Sequence, residues 1–441
     1  MNANTVLARG SGLGNLLRAT PDSTPQGPGW LNRLRSEAAS CAAQLGLPTK
    51  RDEEWRYTDL APLLNYSFES VTSSPLLALA DIERFIIPEA ATSRLVFVDG
   101  VFAPAFSSLD NLPAGLRVTR LAEAWSSHEM IVHAHLARHV NFQHDVFAAL
   151  NTRSFSDGAL ILIGKDQRYP VPVHLLFVTT AHDSPVVISP RCLVIAEPGS
   201  ECTLIEDSVS LGDSVYFNNM VTEIAVAENA EVTHIKLQRE ASSAFHIAHS
   251  GVTLARNGRY HSNTVTLGAR LSRFNLRVTQ TGEGAECTVE GLALIAGQQL
   301  ADTHSTIVHT QPRGTSRQLH KCIVDGAAHA VFNGKVVVQQ NAQLTDAAQS
   351  SRNLLLSARA RVDTKPQLEI FADDVKCAHG ATVGQLDPEE VFYLKSRGLD
   401  ELAARNLLTY AFAAEVIAKI AVPSVVERLR YVVLEQIQHT S

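Results

Sequence analysis

The chain has 441 residues, of which 45% are hydrophobic and 19% are charged. This composition is sufficient for a large buried core and excludes a disordered chain. The formal net charge is -7, without a long basic block. Such a chain repels a phosphate backbone, so we expect no nucleic-acid partner.

The six cysteines are spread over the whole length without a CxxC pair. This spacing excludes both a zinc ribbon and a disulfide scaffold. The N-terminus lacks the continuous apolar stretch of a signal peptide, and no run of about 18 apolar residues could span a membrane. We therefore expect a cytoplasmic protein with no membrane contact.

The first predicted element is a helix that begins at Trp30. Apolar residues recur at helical spacing as far as Leu45, and Gly46 with Pro48 then ends the helix. The preceding residues, 1–29, include several glycines and prolines and are expected to form a flexible tail.

A region of mixed texture follows this helix. Residues 76–150 combine short apolar runs, such as 94–99, with a predicted helix from Trp125 to His139. We expect an N-terminal helical and α+β region over residues 30–158, whose role the sequence does not indicate.

From residue 159 to about 370, short β-branched and alternating runs replace the helix signals. A phrase also recurs at intervals of roughly 20 to 30 residues or twice that, in which a Gly, Ala or Ser precedes one variable residue and then an apolar one. Its copies are Ser200-Glu-Cys202, Ala230-Glu-Val232, Gly258-Arg-Tyr260, Ala285-Glu-Cys287, Ala342-Gln-Leu344, Ala360-Arg-Val362 and Ala381-Thr-Val383. Stacked units of this kind would build a continuous core and a long side wall suited to partner docking. We predict a β-solenoid over residues 159–386, with a large β-sandwich or an ordinary α+β enzyme as the alternatives.

Helices return at the C-terminal end. Asp387 is a capping residue followed by Pro388 at the first helical position, and acidic residues occupy the first turn. Asp400 caps a second, amphipathic helix. We expect a C-terminal helical lobe over residues 387–441.

The common catalytic and nucleotide-binding motifs are missing from the sequence. It contains no GxxxxGK[ST] phosphate loop, no GxSxG elbow and no HExxH metal motif. The glycines of residues 10–14 have part of a dinucleotide fingerprint but follow no predicted strand. We therefore expect no enzymatic centre in this chain alone.

The densest cluster of reactive side chains lies within residues 373–380 (DDVKCAHG). Cys377 and His379 are two positions apart, so in a strand both side chains point to the same face. Thiolate and imidazole are ligands for iron and iron-sulfur clusters, but two donors do not complete a set of about four. Another subunit would have to supply the rest. The alternative is a buried pair, satisfied within the last coil.

The remaining cysteines and several histidines of the predicted solenoid are assigned structural positions. Most of these cysteines occupy apolar strand positions, where the residue behaves as a small hydrophobe. The residues concerned are Cys192, Cys202, Cys287 and Cys322, together with His304, His309, His320 and His329.

With these motifs, the chain resembles the SufB/SufD family of iron-sulfur cluster assembly proteins over roughly residues 30–430. Residues 50–58 (KRDEEWRYT) are similar to the family's N-terminal motif, and residues 373–385 (DDVKCAHGATVGQ), with 393–398 (YLKSRG), to its closing motif. A middle phrase is also similar. It comprises Leu150-Asn151, Asp157-Gly158 and residues 172–178 (PVHLLFV).

The residue after the histidine favours one branch of the family. SufB-type chains usually carry an acidic residue there, whereas Gly380 is typical of SufD-type chains. The resemblance implies a mainly β fold, with a right-handed parallel β-helix core flanked by N-terminal and C-terminal helical regions. It also implies a non-catalytic scaffold that pairs with a SufB-like subunit, docks a SufC-like ABC ATPase, and contributes to nascent cluster formation and to the step at which iron enters.

The family's functional histidine and cysteine correspond to His379, the first candidate, and Cys377, the second. No cofactor is expected to bind tightly to the isolated chain, and iron or a cluster would be held transiently at the interface with SufB. A homodimer is expected where that partner is absent. The residues expected to contact SufC are Asp387, Pro388, Tyr393, Arg397, Leu399 and Arg405.

Two other functions stay open at this point. One is a SufB-type cluster scaffold. The other is a carbohydrate-cleaving β-helix enzyme, in which Asp373, Asp374 and His379 would be acid, base and helper. The lack of an export signal disfavours the enzyme.

Overall fold

The computed structural model describes residues 27–71, 75–109 and 112–439, together with Gly14. The tail predicted for residues 1–29 lies almost entirely outside these ranges. No helix in the described part of the chain is long and apolar enough to cross a bilayer.

The N-terminal region consists of short helices and strands. Its helices are α1 (Gly29–Leu45), α2 (Ala61–Leu64), α3 (Leu79–Ile82), α4 (Leu121–Ser127), α5 (Glu129–His135) and α6 (Val146–Ser154), and its strands are β1 (Glu69–Ser70), β2 (Arg94–Val98), β3 (Val101–Phe102) and β4 (Leu116–Arg120). The single helix predicted from Trp125 to His139 was wrong in its extent. His128 leaves helical geometry at φ -130° and ψ 36° and divides the segment into α4 and α5, and Leu136 ends α5 in an extended conformation.

Strands dominate the rest of the chain up to residue 384. They are β5 (Ala159–Ile163), β6 (Val173–Thr179), β7 (Val186–Ile188), β8 (Arg191–Ala196), β9 (Glu201–Ser210), β10 (Tyr216–Val226), β11 (Glu231–Arg239), β12 (Phe245–Leu254), β13 (Arg259–Thr266), β14 (Leu271–Gln280), β15 (Glu286–Ile295), β16 (Leu300–His309), β17 (Thr315–Val324), β18 (His329–Val338), β19 (Thr345–Leu355), β20 (Arg361–Ile370) and β21 (Val375–Gly384). From β8 onwards successive strands alternate between two sheets, and each pairs in parallel with the strand one coil away. This arrangement is a parallel β-solenoid of about eight turns, as predicted.

Sheet A contains the even-numbered strands from β8 to β20, and sheet B contains the odd-numbered strands from β9 to β21. The recurring phrase marks one inward column of sheet B. Cys202, Val232, Tyr260 and Cys287 are successive ladder partners with buried side chains. The copy at Ala342 was wrong in register: Leu344 is a half-exposed turn residue with φ 60°.

The true continuation of this column reaches the predicted site. Ser316 follows Cys287, and Ala347 and then Cys377 occupy the same ladder. Cys377 therefore faces the interior side of the solenoid at its last coil.

Three helices follow the solenoid: α7 (Pro388–Ser396), α8 (Glu401–Ile417) and α9 (Pro423–His439). The predicted caps are confirmed, since Asp387 Oδ1 accepts from the Glu389 N–H at 2.8 Å and Asp400 Oδ1 from the Ala403 N–H at 2.7 Å. The helices α8 and α9 share an apolar cluster with outward-facing residues of sheet B; it includes Leu237, Val265, Ile323, Val416 and Val433.

Candidate functional site

The last coil of the solenoid ends in two open strands. Strand β20 pairs with β18 and strand β21 pairs with β19, and neither has a second neighbour in the described part of the chain. Both are ten residues long. Their free edges therefore present backbone N–H and C=O groups that a further strand can bind.

Apolar side chains are also exposed at this end of the molecule. Ile370 and Phe371 lie at the end of β20, and Val383 lies on β21. Most of β21 is exposed, in contrast to the buried strands of the preceding coils. The open end combines unpaired strands with apolar surface, which is typical of a protein-binding surface.

Cys377 and His379 lie on β21 and point to the same face, as their spacing predicted. Cys377 pairs with Ala347, and His379 pairs with Gln349. Gln349 is buried, and its side chain bonds to Gln318 inside the solenoid. The two candidate donors therefore face the interior side of the open end.

The environments of the two candidate donors differ. Cys377 is half-buried against an apolar cluster that includes Ala347 and Val336, and burial, with a contribution from Asp346, raises the pKa of its thiol. His379 is exposed and makes no hydrogen bond or ion pair with the described residues. The alternative of a buried pair satisfied within the last coil is therefore wrong, because His379 is exposed.

The donor set at this end is incomplete. Within the described ranges, no group of three or more His, Cys, Asp or Glu side chains is arranged to hold a metal ion. One imidazole and one thiol can contribute to a cluster but do not enclose it. Asp373 and Asp374 are exposed in the turn before β21, and the Asp374 N–H donates to Gln343 Oε1 at 2.9 Å.

The other histidines singled out in the sequence have partners within the fold. His304 lies 3.0 Å from Asp302, and His329 lies 2.7 Å from Asp363. His320 stacks on Phe332 with ring centroids 4.5 Å apart. His309 contacts the Ser316 hydroxyl at 3.0 Å.

The predicted packing role of four cysteines is confirmed, because all are buried and none is disulfide-bonded: Cys192, Cys202, Cys287 and Cys322.

The N-terminal motif of residues 50–58 packs against the outer face of sheet A. Four of its side chains reach four successive sheet-A strands, β14, β16, β18 and β20. On β14, the Arg273 guanidinium lies 3.8 Å from the centre of the Trp55 ring. On β16, Asp302 accepts from the Thr58 hydroxyl and His304 lies 3.1 Å from Glu54. Glu54 also accepts from Asn333 of β18 at 3.5 Å, and Glu53 pairs with Lys365 of β20 at 2.5 Å. The motif of residues 50–58 therefore anchors the N-terminal region to sheet A, and its last contact is on the open strand β20.

We expect Trp55→Ala to destabilise the protein by about 3–5 kcal/mol, because it removes a buried ring and the cation-π contact with Arg273. Urea unfolding followed by circular dichroism measures this loss. Replacement of exposed Tyr431 by alanine is the control and should change the free energy of unfolding by less than about 0.5 kcal/mol. Equal stability of the Trp55 and Tyr431 variants would contradict the anchoring role of Trp55.

The C-terminal helices expose a second apolar surface. No residue of α7 is buried, and Tyr393 is exposed with the Arg397 guanidinium 5.2 Å from its ring. Phe392, 73% exposed, was missed in the sequence, although its position beside Tyr393 on a short polar helix could have indicated it. Leu402 and Leu407 of α8 are also exposed.

The residues predicted to contact an ATPase have different local roles. Asp387 caps α7, and Pro388 occupies its first turn. Leu399 is half-buried after this helix. Arg405 is half-buried on α8, with Nη2 3.5 Å from the Leu356 carbonyl oxygen.

Comparison with known proteins identifies the family of the chain. The model of the SUF system FeS cluster assembly SufBD core domain matches residues 177–412, and that of the SufBD protein N-terminal region matches residues 24–175. An iron-sulfur cluster assembly SufBD family protein of Synechocystis is 43% identical over 407 residues, which are 90% of this chain and 89% of that protein.

Two further relatives carry the name iron-sulfur cluster assembly protein SufD. The protein from Escherichia coli is 36% identical over 373 residues, covering 84% of each chain. The protein from Bacillus subtilis is 26% identical over 435 residues, covering 94% of this chain and 95% of that one. The chain therefore belongs to the SufBD family of the SUF iron-sulfur cluster assembly system and is similar to its SufD-type members.

Proposed function

We propose that the chain is a non-catalytic scaffold subunit that pairs with a SufB-like subunit through the open end of its solenoid. The observation that carries this proposal is the uncovered last coil. Strands β20 and β21 each offer ten residues of unpaired edge, flanked by exposed Phe371 and Val383. A second solenoid would satisfy the backbone groups of both sheets at once and cover the apolar side chains.

The nascent cluster is assembled, in this proposal, at the interface between the two solenoids. His379 offers an imidazole without a partner in the described chain, and Cys377 offers a thiol whose raised pKa disfavours the thiolate. Such a pair binds iron weakly until the partner supplies further thiolates. Weak, shared ligation suits a cluster that is cargo, because it must leave for acceptor proteins.

A SufC-like ATPase is proposed to dock on α7 and the start of α8. The exposed side chains Phe392, Tyr393 and Leu402 provide the apolar part of this surface. From there α8 connects directly to the solenoid: Glu415 pairs with Lys321 of β17 and, at 3.2 Å, with Arg352 of β19. Strand β19 is the neighbour of β21. ATP-driven movement of α8 would therefore reach the cluster-forming edge through one strand.

The same open edges are able to pair with a second copy of the chain. We expect a homodimer in the absence of the SufB-like subunit and a heterodimer in its presence, since both assemblies use β20 and β21. The compartment proposed for these assemblies is the cytoplasm.

Replacement of His379 by alanine tests the cluster-forming role. We expect cluster formation in a reconstituted complex with the SufB-like and SufC-like subunits to slow by at least about 10-fold, because an interface ligand is lost. Cys377→Ala should have a smaller effect. Absorbance of the growing cluster under anaerobic conditions gives the rate, and size-exclusion chromatography shows whether the complex has assembled.

Lys376→Ala provides the matched control, since Lys376 is exposed on the same strand and points to the opposite face. Its rate should equal that of the unmodified complex. A His379→Ala complex that assembles and forms clusters at the control rate would refute the proposal.

A further inference from the structure

We infer that Gln349 is a positioning residue for His379. Its side-chain oxygen accepts the imidazole N–H and thereby leaves the other ring nitrogen free as an iron donor. This inference rests on the proposed role of His379 and adds a residue from the preceding coil, 30 positions earlier in the chain, to the site.

Gln349 belongs to a row of hydrogen bonds inside the solenoid. Gln349 Nε2 donates to Gln318 Oε1 at 2.7 Å, and Gln318 Nε2 donates to Ser305 Oγ at 2.5 Å. The Gln349 amide donor thus points back towards the preceding coil. The acceptor oxygen of Gln349 is directed the other way, because the two polar atoms of an amide diverge from one carbon.

This acceptor oxygen is buried and lacks a partner in the described part of the chain. Gln349 is 3% exposed, and its Oε1 makes no hydrogen bond there. A buried carbonyl oxygen without a donor is unfavourable, and native folds supply a donor for the great majority of such groups. A donor is therefore expected on the side of the open end.

The interior is shaped to hold the Gln349 amide in place. Gly334 lies opposite on β18, and a Cβ atom at that position would be 2.1 Å from Gln349 Nε2. Any other residue at this position would displace the amide. The close approach of Gly334 fixes where the free oxygen lies.

His379 is the donor that the ladder places beside this oxygen. It is the Cα partner of Gln349 on β21, so the two side chains project from the same face of neighbouring strands, which are about 4.8 Å apart. The inward neighbours of His379 on its own strand are Cys377 and Ala381. The Cys377 thiol is a weak hydrogen-bond donor, and the Ala381 side chain has no donor. The exposed imidazole is free to turn towards the amide.

The contact would select one form of the imidazole. A neutral histidine carries one N–H and one nitrogen lone pair, and a fixed acceptor on the N–H side determines which nitrogen is which. The lone pair then points away from the solenoid interior, towards the partner subunit. Metal-binding histidines are commonly oriented by such an acceptor.

Nitrogen NMR of the isolated chain tests this contact without a cluster or a partner. Histidines are labelled at both ring nitrogens, and the His379→Ala spectrum identifies the His379 signals. At pH 8, where an ordinary imidazole is neutral, the unmodified chain should show one dominant tautomer. Gln349→Leu, which removes the acceptor, should shift the tautomer ratio to that of an unconstrained imidazole.

Two further variants separate a specific contact from a general disturbance. Gln349→Glu should restore the single tautomer, because it keeps an acceptor oxygen beside His379. Asn353→Leu removes another buried amide of β19 and should leave the tautomer unchanged. An unchanged tautomer ratio in Gln349→Leu would overturn the inference.

The cluster assay distinguishes the two proposals. If Gln349 positions His379, Gln349→Leu slows cluster formation about 10-fold or more and Gln349→Glu recovers most of the rate. A normal rate with His379→Ala would refute the function proposed for the histidine, whereas the NMR result would still decide on the contact with Gln349.

Discussion

Replacement of Arg191 by leucine is expected to destabilise the protein by about 3–5 kcal/mol, because it leaves the Glu223 carboxylate buried without its cation. Both side chains are fully buried, with Arg191 Nη2 2.7 Å from Glu223 Oε1. Burial alone would raise the pKa of Glu223. Arg191 and the backbone N–H groups of His139 and Ala137 lower this pKa by more than burial raises it, so the carboxylate stays charged.

The pair joins the N-terminal region to the first coils. Glu223 on β10 accepts backbone N–H groups of Ala137 and His139, each at 2.9 Å. Arg191 on β8 donates to Asn151 at 3.0 Å and to Thr152 at 2.8 Å, both on α6. Loss of one ion therefore disturbs three separate segments, which explains the size of the expected effect.

Urea unfolding of both single variants and of Arg191→Leu/Glu223→Leu measures this effect as a double-mutant cycle. The double variant should lose less stability than the sum of the single losses, since neither charge is left alone. Arg313→Leu breaks an exposed pair with Glu283 and should cost less than about 1 kcal/mol. If Arg191→Leu lost no more stability than Arg313→Leu, the proposed link between the N-terminal region and the first coils would be contradicted.

The local features of the fold were predictable because they depend on neighbours in sequence. The two-residue spacing of Cys377 and His379 placed both on one face, and the caps at Asp387 and Asp400 located two helices. The β-branched texture indicated a solenoid. The recurring phrase failed at Ala342, because turn lengths vary and a turn residue such as Leu344 resembles a strand residue.

The features that required the structure depend on residues far apart in the chain. A glutamine within a strand is ordinarily a surface residue, and only the ladder with His379 and the space beside Gly334 give Gln349 its place. Trp55 and its partner Arg273 are likewise distant in sequence. The middle phrase of the family motif also has a structural reason. A Cβ atom at Gly158 would lie 1.7 Å from the Arg191 carbonyl oxygen, so only glycine fits.

Acid is expected to destabilise the protein in two stages, and histidines cause the first. Burial lowers the pKa of His309 and of His320 from 6.5 to about 4. Because the folded pKa lies below the unfolded one, the stability that each neutral imidazole contributes is complete above pH 6.5 and is lost as the pH falls towards 4. Between pH 7 and pH 5 each histidine should cost about 2 kcal/mol.

Carboxylates cause the second stage at lower pH. Burial alone would raise the pKa of Asp145, but His249 and the Ala148 N–H lower it to about 2. Glu206, beside Lys236 and His234, is similarly shifted below its usual value. These folded pKa values are depressed, so the corresponding stability is present above about pH 4 and is lost as the pH falls towards 2.

His304 opposes the first stage, since Asp302 and Glu54 raise its pKa against the effect of burial. Its contribution is present below pH 6.5 and is lost as the pH rises through the folded pKa. Histidines with a lowered pKa outnumber it, so a net loss of stability is expected on acidification. Urea unfolding at pH 7 and pH 5 tests the first stage with His320→Gln, which cannot be protonated.

The His320→Gln variant should lose about 2 kcal/mol less than the unmodified chain between these two pH values. His144→Gln, at an exposed position, is the control and should behave like the unmodified chain. If all three chains lost the same stability between pH 7 and pH 5, burial of His320 in the solenoid would not be the source of the acid sensitivity.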